Sequence, residues 1–142
     1  MTTTDPAVSI VVPVRNEAGN IAPLVEEIAA AVDGQWPFEV VYVDDGSNDT
    51  TDDELRSLMA RYPWLRRVRH KQSCGQSAAV RSGVTAARAP LVVTLDGDGQ
   101  NDPAFVPALI RALEAGAPRT RLVAGQRVGR KASGFKKFQS RV

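Results

Sequence analysis

Thiols and imidazoles are nearly missing from these 142 residues: there is one cysteine, Cys74, and one histidine, His70. A lone cysteine rules out an internal disulfide and leaves no second thiol for a thiolate metal site, in keeping with a reducing compartment. Cys74 reads as a small residue at a helix start or in the core. His70, closing a basic strand with no Ser or Cys motif beside it, reads as structural. Long apolar runs are also absent, since none approaches the roughly 18 residues of a membrane span. Met1-Thr-Thr-Thr-Asp-Pro6 lacks both the basic and the apolar part of a signal peptide. The expected location is therefore cytoplasmic. Aromatic residues make up 6%, too few for a stacking platform on a sheet face, so nucleic acid is not an expected partner.

What is present is ordinary globular material, 43% hydrophobic and 24% charged, enough for one domain with a sizeable core. The net charge of +2 hides an asymmetry. All 16 acidic residues lie at or before Glu114 together with 10 of the 18 basic ones, whereas the 28 residues after it carry eight basic residues and no acid. The simplest division is a domain over 1–126 with a basic tail of the same domain over 127–142. In that tail Phe135 and Phe138 sit three apart among Lys136, Lys137 and Arg141. A short helix there would present apolar and basic groups together to an anionic membrane surface, and otherwise the tail is a solvated end.

Periodicity supplies the elements. Ser9–Val14 and Phe38–Asp44 are short, β-branched runs that read as buried strands, and Leu65–His70 is a weaker third. Ile21, Leu24, Val25, Ile28 and Val32 share one helix face; Leu55, Leu58, Met59 and Tyr62 repeat the pattern behind Thr50, Thr51, Asp53 and Glu54, a capping-box signature. A small-residue helix over Gln76–Ala87 leads to a fourth strand, Pro90–Asp96. Asp102 then caps a helix with Pro103 in its first position and Val106, Leu109, Ile110 and Leu113 inside, and Arg121–Gly125 suggests a fifth strand. Such alternation predicts the α/β class, with a single doubly wound, mostly parallel sheet and helices on both faces.

In open parallel sheets ligands bind outside the carboxyl ends of the strands. Acids gather at three of those ends: Glu17, Asp44 with Asp45, and Asp96 with Asp98. Spaced by one residue, Asp96 and Asp98 project to the same side, and Gly97 and Gly99 leave room for the backbone to approach a ligand. With Gln100 they offer an all-oxygen set suited to Mg²⁺ or Mn²⁺ completed by substrate phosphates. The plainer reading is an acidic turn before a helix, which is preferred for Asp102. Asp45-Gly46-Ser47-Asn48 is good Asx-turn chemistry, yet two adjacent acids repel, and a carboxylate there can accept nucleobase N–H groups.

Four motifs in order, Ser9-Ile-Val-Val-Pro-Val-Arg-Asn-Glu17, Val43-Asp-Asp-Gly-Ser47, Gly75-Gln-Ser-Ala-Ala79 and Leu95-Asp-Gly-Asp-Gly-Gln-Asn-Asp-Pro103, resemble the family-2 glycosyltransferases of GT-A fold. The resemblance is nearest to the branch that moves a sugar from a nucleotide-diphosphate sugar to a polyprenyl phosphate, such as dolichol-phosphate mannosyltransferase, and runs from about Ser9 to Arg141. It implies an inverting, metal-dependent transferase acting at the inner face of a membrane. It also implies that Pro13, Glu17 and Asp45 line the nucleotide pocket with Asp44 in support, that Gly75 sits near the nucleotide, and that Asp96, Asp98 and Gln100 hold the metal. Arg127 and Arg130 are then expected to meet the diphosphate or the lipid phosphate. Relatives of this kind are expected to run about a hundred residues longer, so a chain ending at Val142 reads as incomplete and inactive alone. The alternatives are a non-catalytic nucleotide-sugar-binding module and a family-2 enzyme acting on a sugar hydroxyl, which needs a carboxylate base.

Overall fold

A computed structural model describes residues 5–98 and 102–116. Strands β1 (Val8–Val14), β2 (Phe38–Asp45), β3 (Leu65–His70) and β4 (Leu91–Thr94) alternate with helices α1 (Ile21–Val32), α2 (Thr51–Arg61) and α3 (Gln76–Ala86). The strands pair in the order β3-β2-β1-β4, parallel throughout, with Val8 opposite both Phe38 and Leu91 and Val40 opposite Leu65. The α/β class and the parallel sheet are as the periodicity predicts. β4 is the shortest of the described strands, ending at Thr94 rather than Asp96, although Leu95 N–H still reaches the Val11 carbonyl at 2.9 Å.

From β1 to β3 the chain steps in one direction, so right-handed crossovers put α1 and α2 on one face; the return to β4 puts α3 on the other. On the α3 side Val11, Val41, Val43 and Ala79 form a buried cluster, joined by Val68, Ala86 and Val92. Alternation sends Ile10, Val12, Val40 and Tyr42 to the opposite face, and all four are fully buried. Each such aliphatic side chain contributes about 1.5–3 kcal/mol, which makes the middle of β1 and β2 the centre of stability. Coverage of both faces also explains why these strands read as continuous apolar runs.

The amino end of the sheet is held by one buried acid. Glu39 accepts from Ser9 Oγ at 2.6 Å, from Arg66 Nη1 at 2.7 Å and from the Arg88 N–H at 2.7 Å. Burial works against its charge, but these donors together outweigh burial and keep its carboxyl below the usual range. The return crossover between α3 and β4 is thereby tied to β1, β2 and β3.

The chain divides after Ala104 into two compact units. In the second, α4 spans Val106–Ala115 with Val106, Pro107 and Ile110 buried, while Leu109 and Leu113 are half-buried. The helix expected to begin at Pro103 starts later. Pro103–Phe105 forms a 3-10 turn, with Asp102 Oδ1 accepting the Ala104 N–H at 3.0 Å. α-Helical bonding begins where Pro107, having no N–H to leave unpaired, fills an early helical position. The expected fifth strand Arg121–Gly125, the 126/127 boundary and the basic tail lie outside the described residues.

Candidate active site

The strand order reverses at β1, which lies between β2 and β4, and at such a switch point the loops leaving neighbouring strands part to opposite faces. The acids expected to converge there sit in a run of loops that are fastened to one another. After β1, Asn16 takes a left-handed φ of 52°, tolerated by Asn, and its Oδ1 accepts the Asn48 N–H at 2.9 Å. Its own N–H donates to Ser47 Oγ at 2.9 Å. Glu17 N–H donates to Thr51 Oγ1 at 3.0 Å and Gly19 N–H to the Glu54 carboxylate at 3.0 Å. The expected capping box is therefore not formed. Thr50 makes no side-chain cap, and the Thr51 and Glu54 side chains hold the β1–α1 loop instead. The Glu17 carboxylate, half-buried, accepts from Asn20 Nδ2 at 2.9 Å.

At the end of β2 the two adjacent acids do not confront each other, because successive strand residues point to opposite faces. Asp44 is fully buried. Its Oδ1 accepts the Ser47 N–H at 2.9 Å, so Asp44 rather than Asp45 closes the turn that the sequence placed at Asp45–Asn48, while Oδ2 has no hydrogen-bond partner and faces Arg69 Nε at 3.8 Å. Asp45 turns the other way and accepts four bonds. Oδ1 takes the Cys74 N–H and His70 Nδ1, both at 2.8 Å; Oδ2 takes Ser73 Oγ at 2.9 Å and the Gly75 N–H at 3.0 Å. Burial disfavours its charge, but the Cys74 N–H, His70, Ser73 and Gly75 outweigh burial, so its carboxyl is lowered to about 2. Gly75 holds a φ of 96°, which an L side chain rarely adopts, and its carbonyl accepts the Ala79 N–H at 3.1 Å as α3 begins.

Asp96 follows β4 and is half-buried; Asp98, two residues on, is exposed. Burial pushes the Asp96 carboxyl up, the Asp98 charge pushes it further, and Gln76 Nε2, donating at 3.1 Å, opposes both. Gly97 does not leave its space to a ligand. A Cβ there would stand 2.2 Å from Val14 Cγ1 and 2.9 Å from the Pro13 carbonyl, so the turn is packed on the end of β1. Pro13 is half-buried and its missing N–H costs no ladder bond. Val11, two residues earlier on the same edge, is the last residue of β1 paired with β4.

The links close a circuit around the carboxyl rim. β1 joins β2 through Asn16 and Ser47, β2 joins the start of α3 through Asp45, α3 joins the β4 loop through Gln76, and that loop returns to β1 through Gly97. Of the expected site residues, Pro13, Glu17, Asp44, Asp45, Gly75, Asp96 and Asp98 all lie on this circuit or beside it. Gln100, Arg127 and Arg130 lie outside the described residues. Sequence reasoning passed over Gln76, Ser73 and the tie of His70 to Asp45. Each is a contact across 20 or more residues, and no local pattern marks it.

Comparison with known proteins gives the family of the chain. Residues 9–142 match the family model of glycosyl transferase family 2. The chain is 43% identical over 108 residues to a dodecaprenyl-phosphate galacturonate synthase of Rhizobium johnstonii, covering 75% of this chain and 32% of that protein. It is 36% identical over 138 residues to an undecaprenyl-phosphate 4-deoxy-4-formamido-L-arabinose transferase of Serratia proteamaculans, covering 95% and 41%. The solved mannosyltransferase PcManGT of Pyrobaculum calidifontis, in complex with GDP-Man and Mn²⁺, matches with a TM-score of 0.63 at 28% identity over 75% of this chain and 31% of that one. The chain thus spans between 32% and 41% of the length of these curated relatives. With the motifs in order, the strand order that places them on one rim and a family match over nearly its whole length, the chain belongs to glycosyl transferase family 2 and has a GT-A fold.

Proposed function

We propose that this chain is the donor-binding part of a transferase that moves a sugar, with inversion, from a nucleotide-diphosphate sugar to a polyprenyl phosphate. The observation that carries the reading is the Asp96–Asp98 pair. It sits beside the end of β1, with Asp96 driven toward its neutral form by burial and by Asp98. A divalent cation relieves both penalties, and an oxygen-only donor set suits Mg²⁺ or Mn²⁺. Asp96 and Asp98 would hold the ion, with Gln100 as the third expected ligand. When bound, the cation supplies Lewis-acid stabilisation of the diphosphate leaving group.

The chain's own residues supply position. Asn16, Ser47, Thr51 and Glu54 fasten the first two loops to each other, so Pro13 and Glu17 keep a fixed distance from Asp44 and Asp45. For Asp45 to accept a nucleobase N–H, one of its four donors must give way. Ser73, exposed and joined through a rotatable hydroxyl, costs least to displace. Gly75 sets the direction in which α3 begins, and through Gln76 that helix steadies Asp96. Arg127 and Arg130 would meet the diphosphate or the lipid phosphate. A phosphate monoester is already ionised at neutral pH, so the acceptor needs no protein base. The names of the curated relatives, which include dodecaprenyl and undecaprenyl phosphates, support this acceptor class; the cytoplasmic face of a membrane is the place of action proposed with it. No helix among the described residues is long and apolar enough to cross one. A basic tail over 127–142, belonging to the domain of 1–126, would supply surface contact.

Thermal-shift measurement with nucleoside diphosphates and their sugars, with and without Mn²⁺, tests the reading. At least one nucleotide should stabilise the chain more in the presence of the ion, by about 2.7 kcal/mol at a hundredfold excess over its dissociation constant. Asp98→Ala should remove the Mn²⁺-dependent part. Absence of any nucleotide effect, or an undiminished metal effect in Asp98→Ala, overturns the assignment.

A further inference from the structure

A second group of metal-ligating side chains stands on the same rim and differs in chemistry from the paired aspartates. Asp45, His70 and Cys74 each present one ligand atom, all within 4.8 Å of one another. They come from the end of β2, the end of β3 and the loop before α3. Asp45 Oδ1 and His70 Nδ1 are 2.8 Å apart, and Cys74, an exposed residue, has its Sγ turned to the Gln72 carbonyl at 3.4 Å. We propose that these three side chains form a binding site for a thiophilic divalent cation of the Zn²⁺ type, separate from Asp96 and Asp98, with a fourth position left for water.

The donor set selects the metal. Thiolate, imidazole and carboxylate together suit Zn²⁺, whereas Mg²⁺ and Mn²⁺ favour oxygen alone. With metal–ligand bonds of about 2.0–2.3 Å, the ligand atoms of a tetrahedral site stand about 3.3–3.8 Å apart. The Asp45–His70 pair therefore opens by about half an ångström, and the sulfur closes by about one at most, within reach of a side-chain rotation at exposed Cys74. The surroundings support the ligands. His70 Nε2 faces Ser82 Oγ at 2.8 Å, so when Nδ1 gives its lone pair to the metal the ring proton resides on Nε2 and the serine oxygen accepts it. Asp45 Oδ2 keeps Ser73 Oγ and the Gly75 N–H, which hold the carboxylate in place. Binding transfers no electrons: the thiol proton leaves to solvent and a metal–sulfur bond replaces it. The cation would pin β2, β3 and the start of α3 together, a tie that no second thiol is needed to make.

Titration of the full chain with Co²⁺ under reducing conditions, with no nucleotide present, tests this independently of the donor-site reading. One equivalent should produce a thiolate-to-cobalt charge-transfer band together with the visible bands of a tetrahedral ion, and Zn²⁺ should displace both. Cys74→Ser should abolish the charge-transfer band and weaken Zn²⁺ binding by at least the roughly 10–100-fold that losing even an outer-shell partner costs. His70→Gln should weaken it comparably, and the Asp96→Asn, Asp98→Asn double variant should leave band and affinity as in the parent chain. Absence of a thiolate band at saturating Co²⁺, unchanged affinity in Cys74→Ser or His70→Gln, or loss of the signal in the double aspartate variant overturns the proposal. Since Cys74 is exposed, its serine variant folds and keeps the test decisive even if His70→Gln does not.

Discussion

Asp45 and Asp96 leave β2 and β4, the two strands that flank β1, and both are partly or wholly withdrawn from water, yet they are driven in opposite directions. Burial acts against the charge of each. Asp45 meets four donors and its carboxyl falls to about 2; Asp96 meets the charge of Asp98 and the Gln76 amide, and its carboxyl rises. Burial pushes both acids the same way, so what separates them is the number and sign of their neighbours. The pair divides the labour of the site. In the metal-free chain Asp45, with every lone pair engaged, is a fastener, whereas Asp96, pushed toward neutrality at a strand end, is where an oxygen-preferring cation gains most.

The comparison breaks most visibly if Asp45 is removed. Asp45→Ala strips the acceptor from the Cys74 and Gly75 N–H groups, from Ser73 Oγ and from His70 Nδ1. Unsatisfied buried donors cost about 1–3 kcal/mol each, but residues 73–75 are exposed and water recovers part of that. A loss of about 3 kcal/mol in urea-unfolding stability is expected, with the order of the 72–76 loop lost alongside. A loss below about 0.5 kcal/mol, the scatter of an ordinary surface substitution, would mean that the four bonds do not act as a fastener.

Replacing Asp96 should work in the other direction, and pH separates the two. A carboxyl raised in the folded state carries no penalty below its unfolded value and costs stability as pH rises through its folded value. Asp96→Asn should therefore raise the stability of the metal-free chain at pH 7, by less than about 1 kcal/mol because the site is half-exposed, and the gain should vanish in acid. Asp45 is depressed, so its contribution is complete above the ordinary carboxylate range and is lost as pH falls through about 2. The deficit of Asp45→Asn should stay level from neutrality down to about pH 4 and shrink only below it. Unfolding midpoints of the two variants across pH check this, and parallel curves would dissolve the distinction between the two acids.

Most of the sheet was legible because β-branched runs such as Ile10–Val12 and Val40–Val43 are buried on both faces and carry their signal locally. The acids of the rim were legible too, since a carboxylate directly after a strand is a sequence pattern. What was hidden is where those side chains point. Thr51 and Glu54 had the spacing of a capping box, but backbone donors from Glu17 and Gly19, more than 30 residues away, took their oxygens. Propensity is a weak prior when a tertiary partner competes for the same atom. Gly97 was read as an opening for a ligand and is filled by Val14, because a glycine's pattern says that something comes close without saying what. Cys74 and His70 were set aside one at a time, and only the fold brings them to the same carboxylate.

The finest test of the comparison is Gln76, the single neutral donor that opposes the two influences raising Asp96. Its amide lies on the exposed first turn of α3 and donates at 3.1 Å. Removing it in Gln76→Ala should cost about 0.5 kcal/mol or less, partly recovered because Ala is the better helix former. Stability is thus the wrong readout. The Asp96 carboxyl, followed by side-chain NMR through a pH titration, should move up in the variant while that of Asp45, which Gln76 does not touch, stays where it was. If Asp96 moves down or does not move, the amide is not what restrains it, and the circuit of contacts from α3 to the β4 loop has no electrostatic consequence for the acid expected to take the metal.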